Sequence, residues 1–297
     1  MILMQPSHDK DADLSSPRIR GSFSFSSMQP SPAAPSEPPP SRSSSHPLKF
    51  HLNTEEEHGG YILSMSHKRI RHLRHILEKS SLHKLEPETV CNKVLSKASK
   101  SKNPKLHKDS FDAAVAAILS KVNEDLVNNP ALVELLRGIF SSFDRERSGK
   151  TSAMEVACGL TVLCSGKKSD KLEFAFEVLD KRKKGHLNKA DMTSYLRAFL
   201  TVLLSIAFSP YLDADARSDS LTTLKGYNCD ASPATLTKAA DAGAKWAASM
   251  AFHSLRGSQE ETPQMSFDEF AEWYTTSGYS SIPWLELLDL RKWVFAD

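Results

Sequence analysis

Oxygen donors alternate along one stretch of this 297-residue chain. Between Asp144 and Glu155 the sequence reads DRERSGKTSAME, with side-chain oxygens at Asp144, Glu146, Ser148, Ser152 and Glu155 and the Lys150 carbonyl between the two serines. Gly149 supplies a residue that turns the backbone sharply. Donors of this type suit a hard cation that takes oxygen ligands. Softer sites are not signalled: Cys91, Cys158, Cys164 and Cys229 fall in neither CxxC nor CxxxxH spacing, so buried reduced thiols are expected. Catalysis is not expected either. Gly149, Lys150 and Thr151 end like a phosphate-binding loop, but Asp144 stands where such a loop needs its first glycine, and no HExxH, GxSxG or kinase signature occurs.

The stretch from Asp144 to Glu155 resembles a calcium-binding EF-hand loop. The resemblance implies calcium ligands at Asp144, Glu146, Ser148, the Lys150 carbonyl, Ser152 and a bidentate Glu155, with Gly149 at the turn. Glu146 departs from the usual Asp or Asn, and must buckle or ligate through water. Arg145, Arg147 and Lys150 offset the loop's three acids, so affinity is expected near the weak end, on the order of 10⁻⁵ to 10⁻³ M. A second loop, Asp180 to Asp191, repeats the frame with Gly185 and Leu187 in register. Its ligand positions hold Arg182 and Lys184, cations where an ion needs oxygens, so it is expected to brace the first loop as its pair.

Two weaker matches flank these. MSFDEF at Met265–Phe270 resembles the exit of another such loop, with Ser258 at its first position and Pro263 at the turn; LHKDSF at Leu106–Phe111 resembles a vestigial first one, with Pro104 at the turn. Proline cannot take the positive φ that the turn glycine supplies. Four loops, only some competent, resemble the calmodulin superfamily, closest in style to calcineurin B and the neuronal calcium sensors; the tryptophan and leucine ending resembles the EF-hand region of dystrophin relatives. The family implies calcium as ligand and a partner protein whose helix docks in an apolar groove; a calcium-independent scaffold is the alternative.

Apolar residues at helical spacing supply the elements that would position these loops. One stripe is Leu132, Leu136, Ile139, Phe140 and Phe143; a second is Val156, Leu160 and Leu163; a third is Leu172, Phe176 and Leu179; a fourth is Met192, Leu196, Phe199, Leu200 and Leu203. The predicted fold is all-α, built of paired EF-hands in one or two lobes, with strand limited to short pairing between loops. Residues 1–60 are expected to be a disordered tail, since more than half of the sixteen prolines lie between Pro6 and Pro47 among serine runs. A basic amphipathic segment follows at 61–85, then the loop region at 86–204 with the Asp144 and Asp180 pair. An insertion without assigned function spans 205–240. A degenerate last hand and the apolar C-terminal segment occupy 241–297.

A formal net charge of +2 gives no reason to expect nucleic acid as a partner. Lys68, Arg69, Arg71 and Arg74 surround the Ile70, Leu73 and Leu77 face, and that patch admits a membrane surface or an acidic partner, with a solvated entry helix as the plainer reading. Phe199 to Phe208 is about half the length needed to cross a bilayer, and MILMQPSHDK has no signal-peptide pattern, so a cytoplasmic chain without a membrane span is expected. Trp284, Leu287, Leu288, Leu290, Trp293, Val294 and Phe295 form too dense an apolar run to stay exposed, and are expected to pack on the chain's own last lobe.

Overall fold

The computed structural model describes residues 47–53, 60–120, 129–180, 183–210, 222–225, 232–254 and 263–295. They belong to one compact unit, Ser45–Asp297, that is mostly helical with three small sheets. Each predicted stripe lies on a helix: α4 (Pro130–Phe143), α5 (Ala153–Leu160) with the 3-10 turn Thr161–Leu163, α6 (Lys168–Leu179) and α7 (Lys189–Ala207). The stripe residues are all buried. Pro130 at the first position of α4 and Asn129, whose side chain accepts from the Leu132 amide, start that helix as proline and an Asn cap should. Ahead of them lie α1 (His67–Ser80), α2 (Pro87–Ser96) and α3 (Lys108–Leu119).

The core is organised around α7, whose residues from Leu196 to Ala207 are buried except Arg197. By length and composition α7 could cross a membrane, but 72% of its apolar window is buried inside the protein, which marks a central core helix. Its most extensive helix contact is with α8 (Pro233–Ser254). The sequence did not signal α8, and its residues up to 240 were expected in a featureless insertion. The reason is chemical: its core face is Ala240, Ala244, Ala247, Ala248 and Ala251, residues too small to make a hydrophobic stripe stand out but ideal for close helix approach. Gly243 sits within that face, where a Cβ would lie 2.8 Å from Leu200 Cδ1 and 2.9 Å from the Leu52 carbonyl oxygen. Residues 211–221 and 226–231 of that insertion, Asp213 and Asp215 among them, lie outside the described residues.

Two of the sheets join loops. Strand β3 (Lys105–His107) pairs with β4 (Lys150–Ser152), matching Leu106 to Thr151, and β5 (His186–Asn188) pairs with β7 (Gln264–Ser266), matching Leu187 to Met265. These central residues are buried. The Asp144 loop is therefore joined to the stretch at Leu106 and the Asp180 loop to the stretch at Met265, so the expected pairing of Asp144 with Asp180 is corrected. Neighbours in sequence are separated here because each loop hydrogen-bonds to a strand on its other side.

The third sheet departs from the all-α expectation. Strand β2 (Ile62–Met65) lies between β1 (Leu48–His51) and β6 (Thr222–Lys225), antiparallel to both. Leu52, Leu63 and Met65 are almost fully buried. The predicted tail thus ends earlier than residue 60: the chain at 48–53 is a strand and a core contact, and the other tail residues apart from Pro47 and Gly60 lie outside the described residues.

The basic patch is also reassigned. Ile70, Leu73 and Leu77 are buried as expected, but so is Arg69. Its Nε donates to the Ala207 carbonyl at 3.0 Å and its Nη2 to the Ser209 carbonyl, so it caps the C-terminus of α7, where unpaired carbonyls and the helix dipole favour a cation. Arg74 pairs with Glu78 at 2.9 Å. Arg69 is therefore not part of the basic surface, whereas Arg71 is exposed and Lys68 and Arg74 are partly exposed.

The C-terminal segment is buried, with Ile282, Trp284, Leu285 and Leu287 fully so. It forms a 3-10 helix, Pro283–Leu288, then a short α-helix, Leu290–Trp293, and the first of these packs on β1. Lys168, in the first turn of α6, reaches Tyr274 and Glu286, and Lys292 closes on the same carboxylate. Burial pushes the Glu286 carboxyl up, but hydrogen bonds from Lys292 and Tyr274 and the charge of Lys168 outweigh it and bring its pKa down to about 2.

Candidate metal centre

The Asp144 loop starts where α4 ends. Asp144 leaves the helix at φ −83 and ψ 69, Arg147 takes a left-handed φ of 52 and Gly149 one of 74, which curls the backbone back over the Asp144 side chain. A non-glycine residue at positive φ is uncommon, and Arg147 is held there by the surrounding hydrogen bonds. The Asp144 carboxylate accepts from the Ser148 amide at 2.9 Å and the Gly149 amide at 2.7 Å. The Ser148 hydroxyl stands 3.2 Å from Asp144 Oδ1 and 3.1 Å from the Lys150 carbonyl oxygen. Asp144, Ser148 and the Lys150 carbonyl are therefore joined by hydrogen bonds within the turn.

The other predicted ligands are placed differently. Ser152 is the N-cap of α5 and its hydroxyl accepts from the Glu155 amide at 3.4 Å. Glu146 is exposed. Glu155, expected to close the loop, instead presents both carboxylate oxygens to Arg197 Nη2 at 3.2 Å. Calcium, the ion implied by the resemblance, fits the entering half of the loop, where a carboxylate, a hydroxyl and a carbonyl meet. The closing half does not fit as placed, because Glu155 faces a guanidinium. Among the described residues no three histidine, cysteine or carboxylate side chains gather as a metal cluster.

Sequence reasoning missed Arg197 and the residues around it. Arg197 Nη1 also lies 3.5 Å from Asp241 Oδ1, and Arg145 Nη1 approaches the same oxygen at 3.4 Å, so α5, α7, α8 and the loop share one ion-pair network. Burial lowers the Arg145 guanidinium pKa and the neighbouring Arg197 lowers it further, against the pull of Asp241 and Glu155. A signal was present: Arg197 is the one charged residue in α7 between Tyr195 and Ala207. An isolated cation on a buried helix needs an anion nearby.

The Asp180 loop repeats these backbone angles at its described residues. Asp180 exits α6 at φ −71 and ψ 73, Lys183 takes φ 49 and Gly185 φ 76, and the Gly185 amide donates to Asp180 Oδ2 at 2.6 Å. Asn188 caps α7 by accepting from the Asp191 amide at 2.9 Å and donates from Nδ2 to the Asp191 carboxylate at 2.8 Å. Arg182 lies outside the described residues, as does Ser258 of the stretch before Met265. In that last stretch Ser266 and Glu269 form a reciprocal capping box at the start of α9 (Phe267–Trp273), which occupies the Glu269 carboxylate.

Cys91, Cys158 and Cys164 are buried free thiols, as expected. Burial pushes Cys164 up to about 12 and raises the other two. Cys229 lies outside the described residues.

No family model matches the chain. Short stretches resemble parts of longer proteins. The chain is 31% identical over 77 residues to ubiquitin carboxyl-terminal hydrolase 32 of Homo sapiens, covering 26% of this chain and 5% of that protein. It is 38% identical over 66 residues to lysophosphatidylcholine acyltransferase 2B of Rattus norvegicus, covering 22% and 13%. It is 33% identical over 84 residues to the calcium and calcium/calmodulin-dependent serine/threonine-protein kinase DMI-3 of Medicago truncatula, covering 28% and 16%. The chain thus spans a small fraction of each relative.

Proposed function

We propose that this chain is an EF-hand regulatory protein with one weak calcium site, the loop from Asp144 to Glu155, and that it acts by binding a helix of a partner protein. The observation that carries the reading is the convergence of the Asp144 carboxylate, the Ser148 hydroxyl and the Lys150 carbonyl inside a loop turned by Gly149. Two further features support it. Strand pairing ties each of the two regular loops to a degenerate one, the arrangement expected of hands in two pairs. The relatives have unrelated named activities yet match over only 66 to 84 residues, which suits a shared regulatory module better than a shared catalytic domain, and the plant kinase is named for calcium dependence.

Calcium, when bound, supplies a charge that a carboxylate at Glu155 can meet. The residues do the rest: Asp144 fixes the loop entrance, Ser148 and the Lys150 carbonyl supply neutral oxygens, and the Glu155 side chain, at the start of α5, would close the loop. A groove of about 620 Å³ runs beside the loop, lined by Phe140, Leu204, Phe208 and Leu236 and sharing Asp144 and Arg147 with it. Such a helix-bounded groove takes the apolar face of a partner helix.

The second reading, a calcium-independent scaffold, is favoured by the ion pair between Glu155 and Arg197. Calorimetric titration of the full chain with calcium separates the two. One weak site that disappears in Glu155→Gln supports the regulatory reading. Absence of heat at millimolar calcium supports the scaffold, and two sites of similar strength overturn the loop assignment.

A further inference from the structure

We propose that Arg197 sets the calcium affinity of the Asp144 loop: its guanidinium holds the Glu155 carboxylate away from the loop, and Asp241 receives that guanidinium when Glu155 turns inward. This rests on the calcium reading above and names the regulation of the same site.

The ion pair is built into the helix packing. Gly159 lies one turn beyond Glu155 on the same face of α5, and a Cβ there would stand 2.6 Å from the Ala198 carbonyl and 2.8 Å from Val202 Cγ2. This close approach locks α5 against α7 beside Arg197, so Glu155 and Arg197 cannot drift apart by helix sliding. Both side chains are about four-fifths buried, with relative exposures of 21% and 20%. An ion pair at that depth is screened less than one on the surface.

The network also shows where the guanidinium can go. Two guanidinium groups, Arg145 and Arg197, face two carboxylates, Glu155 and Asp241. Asp241 Oδ1 is buried and takes no hydrogen bond, although both guanidiniums stand within 3.5 Å, and Arg197 Nε is buried without a partner. Buried polar atoms left unsatisfied mark a network with a better arrangement available. A short rotation of Arg197 toward Asp241 brings its donors to this open acceptor and frees Glu155. Glu155 is thereby released only as far as Asp241 can compensate Arg197, and Arg145 competes for the same oxygen.

Removing the cation and weakening its alternative acceptor should act in opposite directions. Arg197→Met keeps the aliphatic stem and removes the charge, so calcium should bind about tenfold tighter, equal to ~1.4 kcal/mol. Asp241→Asn weakens the alternative acceptor, holds Arg197 on Glu155 and should weaken calcium binding. Arg197→Lys keeps a cation and should stay near the wild-type affinity. Calorimetric calcium titration of the full chain reads all three, and circular dichroism melts without calcium establish that each folds; Arg197→Gln replaces the Met variant if that one does not. Wild-type binding with an Arg197→Met affinity that is unchanged or weaker overturns the proposal and leaves the calcium reading standing. Shifts of Arg197→Met and Asp241→Asn in the same direction also overturn it, as general loosening. Binding by Arg197→Met alone supports the proposal while removing calcium binding from the wild-type chain, and no binding by either overturns both.

Discussion

The loops at Asp144 and Asp180 share their backbone angles at the residues described in both. In each, an aspartate ends a helix near ψ 70, the third residue on takes φ near 50, a glycine takes φ near 75, and a three-residue strand leads into a capped helix. Yet one gathers oxygens over its centre and the other carries Arg182 and Lys184 at the corresponding positions. Backbone and ligand chemistry are therefore separable. The path is fixed by the aspartate's hydrogen bonds to the turn, by glycine and by strand pairing, which both loops have; the ion, if any, is decided by the positions where they differ, Glu146 and Ser148 in one and Arg182 and Lys184 in the other.

The largest effects should come from exchanging that chemistry. Glu155→Gln is expected to remove calcium binding from the Asp144 loop with the helical circular dichroism signal retained. In the other loop, Arg182→Asp with Lys184→Ser and Asp191→Glu should create a second site, so that calorimetry counts two. Failure to gain it would mean that the two paths are less alike than their angles.

Packing behind the loops comes next. Gly159→Ala places a Cβ against the Ala198 carbonyl and should destabilise by about 3 kcal/mol, measured by urea denaturation. Burial then separates the aspartates. Asp180 is 9% exposed and holds the Gly185 amide, so Asp180→Ala should cost about 2 kcal/mol; Asp144 is more open, water can replace it, and Asp144→Ala should cost about 1 kcal/mol. Gly149→Ala and Gly185→Ala meet no atom within 4 Å and differ by 2° in φ, so each should lose about 1 kcal/mol from backbone strain alone, and equally.

The smallest effect distinguishes the surroundings. Among the described residues, the ion pair of Lys168 and Glu286 ties the Asp180 side to the C-terminal segment. Because the folded Glu286 carboxyl sits at about 2, below its ordinary 4.5, its contribution is complete above 4.5 and lost as pH falls toward 2. Glu286→Gln should flatten the acid limb of the melting temperature in that window, whereas a variant confined to the Asp144 side, such as Ser148→Ala, should leave it unchanged.

The sequence made the helical region legible wherever large apolar residues repeat, from Leu132 to Leu203, and it made the turn of the Asp144 loop legible at Asp144 and Gly149, though not the placement of Glu155. It hid what depends on small or distant residues. An alanine face drew no attention to α8. Ile62–Met65 is too short to announce a strand, and its neighbour β6 lies far along the chain. Arg69 reads as surface charge until its carbonyl acceptors at Ala207 and Ser209 are known. The position of Glu155 depended on Arg197, a residue from the helix after the other loop, and no spacing rule connects the two.

The sheet of β1, β2 and β6 has a consequence for the order of assembly. Leu63 meets Leu224, so a strand near the start of the folded region waits for one far along it. During synthesis the hairpin of β1 and β2 emerges first, and the Arg69 guanidinium reaches its carbonyls only after Ser209 has been made. Closing so long a loop adds little to the final free energy but slows the step that forms it. The helices around the Asp144 loop, linked by nearer contacts, can collapse before that, leaving the β2 edge open until Thr222–Lys225 has been made. An open edge recruits other strands. Shortening the chain before Thr222 would then yield helical molecules that associate through β2, and rapid refolding at high concentration would trap the same species.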